Sequence, residues 1–345
     1  MGGTSSERDV SLASGLRVAA ALRSHGHMVS AVDTAHGALT EGEERTMLVS
    51  GVMRTLPPET EALTRLARET LPTSVHRLPT PAETDVVFLG LHGGQGEDGT
   101  IQALLDLTGV PYTGSGHLAS ALAMDKDLSK RLFRVAGVAT PDWQLVRRGD
   151  PETWRTSSWV DATVAELGLP VIVKPSKQGS TVGLSLVKSR DDVVPAITEA
   201  FRHDDEVMIE QFIPGRELTV GILGDEPLPV GEIIPKHEIY DYECKYTPGM
   251  AQEVFPAAIT EAQRVVVQEL AQKAFRALKL SGYARIDFRM TDDGTFYCLE
   301  ANTLPGMTEL SLIPQAAAAA GIGFSELCER IVQLAVRTRE QSERQ

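Results

Sequence analysis

Residues 283–303, YARIDFRMTDDGTFYCLEANT, hold the most informative pattern in the chain. An Asp-Gly pair at 293–294 between two runs of alternating apolar and polar residues predicts a β-hairpin with those two residues as its loop. Side chains alternate between the two faces of a strand. One face then carries Arg285, Asp287, Glu300 and Asn302. The other face is apolar and consists of Ile286, Phe288, Met290, Tyr297, Leu299 and Ala301.

The polar face of this hairpin places two carboxylates opposite each other. In the predicted register Asp287 lies across from Glu300, and Arg285 lies across from Asn302. A solvated sheet face is the alternative interpretation. Directly opposed like charges repel, however, unless a cation lies between them. Oxygen donors without His or Cys favour magnesium, which usually keeps substrate phosphates in its coordination shell, so the hairpin indicates ATP.

A glycine-bearing turn provides a second candidate for phosphate binding. In VIVKPSKQGSTVG, residues 171–183, Lys174 ends an apolar strand and a Gly/Ser-rich turn follows. Backbone N–H groups of such a turn can close over phosphates. The P-loop pattern is absent. A surface lysine is the alternative for Lys174, and Lys126 in the helical segment MDK is a weaker candidate because most helix lysines face water.

Composition excludes several classes of protein. The 345 residues suffice for two or three domains, and the formal net charge of -14 disfavours a nucleic-acid partner. No apolar run is long enough to span a membrane, and the N-terminus lacks the features of a secretory signal. Three cysteines without CxxC spacing suit a reducing compartment. These features predict a cytoplasmic protein with no membrane partner.

Alternating helix and strand patterns indicate an α/β protein. Apolar spacing predicts helices over 6–23 and 59–69, and short apolar runs predict buried strands over 28–32 and 86–91. The turn GGTS opens the first helix, and such a turn normally follows a buried strand. Only Met1 stands before it.

Seven segments together resemble the D-alanine–D-alanine ligases, a family of the ATP-grasp superfamily. They run nearly end to end and stand in the family's order: GGTSSERDVS, LHGGQGEDGTIQALLDLTGVPYTGSG, MDKDLSK, VIVKPSKQGSTVG, YDYECKY, ARIDF and LEANTLPGMTELSLIP. The resemblance implies a three-domain ATP-grasp fold. We expect an N-terminal Rossmann-like domain (1–113) that lacks its first strand, a central domain with the glycine-rich turn (114–213), and a C-terminal domain with a lid and the metal-binding hairpin (214–345).

The resemblance also implies an activity. The family joins two D-alanine molecules with ATP through an acyl phosphate, for peptidoglycan precursor synthesis. The alternatives are a related ligase that takes a different second D-amino acid or hydroxy acid, and a non-catalytic nucleotide-binding relative. Dimers are common in the family, so a homodimer is expected.

Site residues carried over from the resemblance fall into two groups around ATP. The ligands of two Mg²⁺ (or Mn²⁺) ions would be Asp287, Glu300 and Asn302. The ATP contacts would be Lys126, Lys174 and Lys245 on the phosphates, Ser180 and Thr181 in the glycine-rich turn, Glu210 and Ile213 at the adenine edge, Phe212 on the base and Glu217 on the ribose.

A further set is implied around the two D-alanines. Glu7 would receive the ammonium of the first, with His92 nearby, and Ser180 and Tyr246 would complete a hydrogen-bonded triad with Glu7. Ser311 and Leu312 would bind the carboxylate of the second, and Arg285 with the Gly306 N–H would form the oxyanion site. The segment 237–250 would be a mobile lid. Without the resemblance, Glu7 reads as a first-turn helix acid, His92 as a turn residue and Tyr246 as an ordinary loop aromatic.

Overall fold

The computed structural model describes residues 1–50, 79–247, 249–309 and 311–343. The helix predicted over 59–69 lies outside these residues. No helix in the described part of the chain is long and apolar enough to cross a lipid bilayer. Three regions follow one another along the chain, and the second and third together line the cleft that carries the candidate site.

The N-terminal region is built around its first helix, which packs against the last helix of the chain through Val18, Leu22 and Ile331. Its strands form one short antiparallel pair. The regular elements are α1 (Arg8–Ser24), β1 (Val32–Asp33), β2 (Gly37–Ala38), α2 (Glu41–Ser50), a 3₁₀ turn (Gly94–Gly96) and α3 (Thr100–Thr108).

The two strands predicted in this region are only partly present. The prediction for 28–32 is wrong, since Met28 is fully exposed and the first strand begins at the last residue of that run. The strand predicted over 86–91 is reduced to a single parallel bridge between Val87 and Tyr112, the one sheet pairing that this run makes with the described residues. A short apolar run does not reveal whether a neighbouring strand lies within hydrogen-bonding reach, and that neighbour decides whether a strand forms.

The central region is an antiparallel sheet in the order β3-β6-β4-β5. Alternation along its strand β4 sends Val171 and Val173 into the core and points Ile172 and Lys174 into the cleft. The elements are α4 (His117–Met124), α5 (Lys126–Val135), β3 (Trp143–Arg147), α6 (Pro151–Trp154), α7 (Ser157–Leu167), β4 (Val171–Pro175), β5 (Ser185–Val187), α8 (Val193–Ala200) and β6 (Glu206–Gln211).

The third region is a larger antiparallel sheet in the order β10-β9-β7-β11-β12, with β8 paired to β7. A capping box between Thr260 and Gln263 starts the helix that covers it. The elements are β7 (Arg216–Leu223), β8 (Glu226–Pro227), β9 (Gly231–Pro235), α9 (Tyr242–Tyr246), β10 (Ala251–Val254), α10 (Glu261–Ala277), β11 (Tyr283–Met290), β12 (Phe296–Asn302), α11 (Leu312–Ala319) and α12 (Phe324–Glu343).

The hairpin of β11 and β12 forms with the predicted register at its polar end. Arg285 pairs with Asn302 and Asp287 pairs with Glu300. The predicted two-residue loop is wrong, because Thr291 donates its N–H to the Thr295 carbonyl oxygen at 3.0 Å and leaves three residues between them. A bulge after Asp287/Glu300 shifts the register by one residue and compensates for the longer loop.

The same bulge corrects the predicted core face. Cys298 and Phe296 of β12 lie in the core with Ala301, where Leu299 and Tyr297 were predicted. Leu299 instead lines the cleft. One extra residue on one strand reverses the facing of every side chain beyond it.

Candidate active site

The central and third sheets line an open cleft between them. Every residue predicted to contact ATP lines it, and so do two of the three predicted metal ligands, Asp287 and Glu300. The predicted ATP contacts in its wall are Lys126, Lys174, Ser180, Thr181, Glu210, Phe212, Ile213, Glu217 and Lys245. The structure therefore brings together residues from segments that lie far apart in the chain.

One part of the cleft is apolar and carries the partly buried acid Glu217. Phe212 and Ile213 line it with Leu299 from the bulged strand. Arg289, which the sequence analysis missed, donates from Nε to the Ile213 carbonyl oxygen at 3.0 Å and reaches Glu217 at 3.3 Å. Burial raises the pKa of Glu217 while Arg289 opposes that rise. An apolar slot beside an acceptor of hydroxyl hydrogens suits a base and its sugar.

The other end of the cleft gathers positive charge. Lys126 Nζ donates to the Gln178 carbonyl oxygen at 2.8 Å and lies 3.3 Å from the Glu300 carboxylate. Lys174 Nζ lies 2.7 Å from Glu210 Oε1. Neither lysine is an ordinary surface lysine, because both are more than nine-tenths buried. The carboxylate of Glu210 is held by lysines, so an adenine-edge contact from this residue would come from its main chain.

Glu300 is a partly buried carboxylate, with 26% of its side chain exposed, in the field of several cations. Burial by itself would raise its pKa, but the charges of Lys126, Lys245 and Lys174 outweigh that effect and hold the pKa at about 2. Glu300 is therefore ionised at any physiological pH.

Asp287 lies directly opposite Glu300 in a cradle of donors. Arg285 donates to both of its oxygens at 2.9–3.2 Å, Thr219 Oγ1 at 2.7 Å and Asn302 Nδ2 at 3.0 Å. Three oxygen-bearing side chains on one face, two of them carboxylates, are the donor set that hard divalent cations prefer. Asp287, Glu300 and Asn302 thus fit a magnesium site in their chemistry.

The glycine-rich turn reaches the N-terminal region through one hydrogen bond. Ser180 and its neighbour Thr181 adopt positive φ angles of 50° and 59°, which are strained for residues with a side chain. In this conformation the Ser180 hydroxyl donates to Glu7 Oε1. Glu7 stands at the N-cap of α1, but its side chain makes no capping hydrogen bond there. The helix-acid interpretation of Glu7 therefore does not describe its contacts.

A side chain at position 179 would crowd the Glu7 carboxylate that makes this contact. A Cβ at Gly179 would lie 2.7 Å from Glu7 Oε2. We expect Gly179→Ala to push the turn away from Glu7 and to raise at least about tenfold the KM for the substrate whose ammonium group the resemblance assigns to Glu7, the effect of losing one charge-assisted hydrogen bond. Steady-state kinetics would measure this. Gly149→Ala is the matched control, because a Cβ there meets no atom within 4 Å; equal effects of the two changes would contradict the packing argument.

His92 links three segments around the loop 303–307. Its Nδ1 lies 2.7 Å from the Leu304 carbonyl oxygen and its Nε2 lies 2.9 Å from Ser14 Oγ, which in turn accepts the Met307 N–H at 3.1 Å. Burial lowers the pKa of His92. A neutral imidazole therefore donates from Nδ1 to the Leu304 carbonyl oxygen and accepts from Ser14 at Nε2. Both ring nitrogens are thus engaged in hydrogen bonds within the protein.

Glu97 supports the same loop and was missed by the sequence analysis. Its two oxygens accept the Gly93 N–H at 2.8 Å and the Leu304 N–H at 3.1 Å. Burial, with the nearby charge of Glu7, raises its pKa to about 8. The only sequence signal was its place in the quoted run GGQGEDG.

The start of α11 faces the loop of Gly306. Ser311 stands at the N-cap position and its Oγ accepts the Thr308 N–H at 3.1 Å. A Cβ at Gly306 would lie 2.8 Å from that Oγ. The Leu312 side chain is buried in a small apolar cluster with Ile233 and Tyr240, so the group that Leu312 can offer a ligand is its main-chain N–H. Free N–H groups at a helix N-terminus favour carboxylates.

The predicted lid, 237–250, contains the short helix α9. Lys188 Nζ of the central region lies 2.6 Å from the carboxylate of Glu238 in this segment. Lys245 lines the cleft, with its Nζ 5.5 Å from the centroid of the Tyr240 ring. The Tyr246 side chain lies outside the described part of the structure, so its predicted contact with Glu7 stays a prediction.

Comparison with known proteins identifies relatives of nearly the whole chain. A family model described as the D-ala D-ala ligase N-terminus matches residues 1–115, and one described as the D-ala D-ala ligase C-terminus matches residues 132–333. A D-alanine--D-alanine ligase of Geotalea uraniireducens is 43% identical over 97% of this chain and 94% of its own. One of Geobacter sulfurreducens is 44% identical over 96% and 91%.

A solved structure shares the arrangement of the three regions. The D-alanine--D-alanine ligase of Bacillus anthracis complexed with ATP superposes with a TM-score of 0.74 at 30% identity and covers 99% of this chain and 97% of its own. A second D-alanine--D-alanine ligase structure from Bacillus anthracis gives a TM-score of 0.67 at 34% identity and covers 82% of this chain and 86% of its own.

Proposed function

The chain belongs to the D-alanine–D-alanine ligase family, with the ATP-grasp fold, and from that premise we propose how its cleft works. It joins two D-alanine molecules into D-alanyl-D-alanine with conversion of ATP to ADP and phosphate, for peptidoglycan precursor synthesis. The observation that carries the assignment within this chain is the contact of Glu7 with the glycine-rich turn. The contact supports the proposal because it holds the Glu7 carboxylate, the proposed partner of the first substrate's ammonium group, next to the turn proposed to bind the phosphates. No observation favours a different second substrate or a non-catalytic role.

ATP lies along the cleft with its base against Phe212 and Ile213 and its ribose at Glu217. Its phosphates meet Lys126, Lys174 and Lys245 and the main chain of Ser180 and Thr181. Magnesium held by Asp287, Glu300 and Asn302 would neutralise charge on the transferring phosphoryl group. Acids and lysines lie side by side at this end of the cleft, so the acids can hold a cation while the lysines face the phosphates.

The reaction follows from these positions in two steps. The carboxylate of the first D-alanine, whose ammonium is held at Glu7, takes the γ-phosphoryl group and becomes an acyl phosphate. The amine of the second D-alanine then attacks the carbonyl carbon, and phosphate leaves. Arg285 and the Gly306 N–H stabilise the oxyanion of the tetrahedral intermediate. Arg285 suits this role because its Nη1 makes no hydrogen bond with any described residue.

Water must be kept from the acyl phosphate, since hydrolysis would release D-alanine without product. The lid covers the phosphate end, and the ion pair between Lys188 and Glu238 ties it to the central region. Closure of the lid over ATP is the expected means of exclusion. Tyr246 on α9 would reach Glu7 and Ser180 from this lid and favours an amine as the second substrate.

The N-terminus of α11 is the proposed carboxylate site for the second D-alanine, through the Ser311 hydroxyl and the Leu312 N–H. Gly306→Ala is expected to displace Ser311 Oγ, because the new Cβ would lie 2.8 Å from it. We expect the KM for the second D-alanine to rise about tenfold, with the Kd for ATP unchanged. Two-substrate kinetics with separate fits for the two D-alanine sites would measure this. A rise confined to the first site would contradict the assignment.

Purified protein with ATP, Mg²⁺ and D-alanine tests the function. We expect one phosphate and one D-alanyl-D-alanine per ATP consumed, and far less mixed product when D-lactate or another D-amino acid is offered as the second substrate. Phosphate release without dipeptide, or dipeptide only with another second substrate, would overturn it. The family resemblance supports two further expectations, a homodimer in light scattering and a cytoplasmic location in cell fractionation.

A further inference from the structure

Lys130 is a buried lysine with no role in the reaction outlined above. It follows Lys126 by one turn of α5, so both side chains lie on the same side of the helix. Its side chain has no exposure to solvent. Its Nζ donates to Glu210 Oε2 at 2.6 Å and to Thr140 Oγ1 at 2.7 Å. A fully buried ammonium group is costly even when paired, so its presence beside the cleft calls for a reason.

Lys130 and Lys174 share one carboxylate. Each oxygen of Glu210 accepts one hydrogen bond, Oε1 from Lys174 Nζ at 2.7 Å and Oε2 from Lys130 Nζ at 2.6 Å. Burial would raise the pKa of Glu210, but the two lysines lower it below its usual value, so the residue is a carboxylate. The three groups together carry one positive charge. Of the two lysines, only Lys174 lines the cleft.

We propose that Lys130 is a positioning residue for ATP, which neutralises and holds Glu210 so that Lys174 keeps its charge and its direction for the phosphates. With Lys130 removed, Glu210 has Lys174 as its only cation, and the pair carries no net charge towards the cleft. Lys174 would then be bound to Glu210 more tightly and interact with phosphate less. The inference rests on the proposed contact between Lys174 and ATP.

The test compares ATP binding by calorimetry in four variants. Lys130→Met is expected to raise the Kd for ATP about tenfold or more, the change that corresponds to a partly lost ion contact. Lys130→Arg keeps the charge and is expected to stay within about threefold of the unchanged protein. The double variant Lys130→Met/Glu210→Gln removes both charges and is expected to recover most of the lost affinity. Lys273→Met is the control, because Lys273 is an exposed lysine on α10.

The pattern across these variants separates positioning from simple packing. A structural role would make the double variant no better than Lys130→Met, and that result would overturn the proposal. Wild-type affinity in Lys130→Met would overturn it as well. If Lys130→Met does not fold, the double variant and Lys130→Arg still test the proposal. Weak ATP binding in both would contradict the claim that Lys130 acts by neutralising Glu210. Calorimetry measures ATP binding without turnover. If the protein without substitutions binds ATP but makes no dipeptide, the proposed function is refuted while this test of Lys130 can still be carried out.

Discussion

Replacement of Glu300 by glutamine is expected to lower kcat about 1000-fold or more. Glu300 is ionised because the lysines of the cleft hold its pKa at about 2, and it is the proposed acidic partner of both magnesium and Lys126. Loss of its charge removes several kcal/mol of charge stabilisation on the phosphoryl group, and each 1.4 kcal/mol corresponds to a factor of about ten in rate. Single-turnover formation of ADP would measure the effect.

The shape of glutamine matches that of glutamate, so the fold is expected to persist. Thermal unfolding should show a melting temperature within a few degrees of the unchanged protein. Glu309→Gln is the matched control, because that carboxylate is 70% exposed and pairs with an exposed arginine. A Glu300→Gln variant that keeps the rate of the control would exclude Glu300 from the metal site.

Replacement of Arg285 by glutamine is expected to lower the rate of dipeptide formation by about 10²–10³-fold, as loss of one oxyanion donor does in other enzymes. The change also removes the guanidinium that holds Asp287 through two nitrogens. If Arg285 acts on the second step, ATP consumption should fall less than dipeptide formation, because the acyl phosphate would be hydrolysed instead. The ratio of dipeptide to phosphate, measured together in one reaction, should drop below one.

Arg276→Gln serves as the control, since Arg276 is exposed on α10. An Arg285→Gln variant with a normal ratio and a uniformly slower rate would place Arg285 in the first step. An unaffected rate would remove it from the reaction.

The hairpin shows how far local patterns predict a site. Its polar pairing of Asp287 with Glu300 follows from two-residue alternation and holds in the structure. The loop length and the bulge after Asp287 cannot be predicted from this alternation. The longer loop shifts the pairing by one residue and the bulge shifts it back, so the pairing of Asp287 with Glu300 is the same with or without them. The sequence therefore predicted the acidic pair correctly and placed Leu299 on the wrong face.

The site contacts that could not be predicted from the sequence are those between residues far apart in the chain. Lys130 and Glu97 lie in two of the quoted segments, but nothing in those segments reveals their contacts, since their partners lie 80 and 207 residues away in the chain. The contact of Ser180 with Glu7 spans 173 residues, and only the resemblance to a family suggested it. Charge and periodicity reveal which side chains share a strand or helix face. They do not reveal which faces meet after folding.

The acyl phosphate is the central chemical claim, and isotope transfer tests it most directly. D-alanine labelled with ¹⁸O in both carboxylate oxygens would be supplied with ATP, and the released phosphate would be analysed by mass spectrometry. Attack of the carboxylate on the γ-phosphoryl group moves one labelled oxygen into phosphate for each dipeptide formed. We expect one ¹⁸O per phosphate in step with dipeptide. Dipeptide formation with unlabelled phosphate would contradict the mechanism.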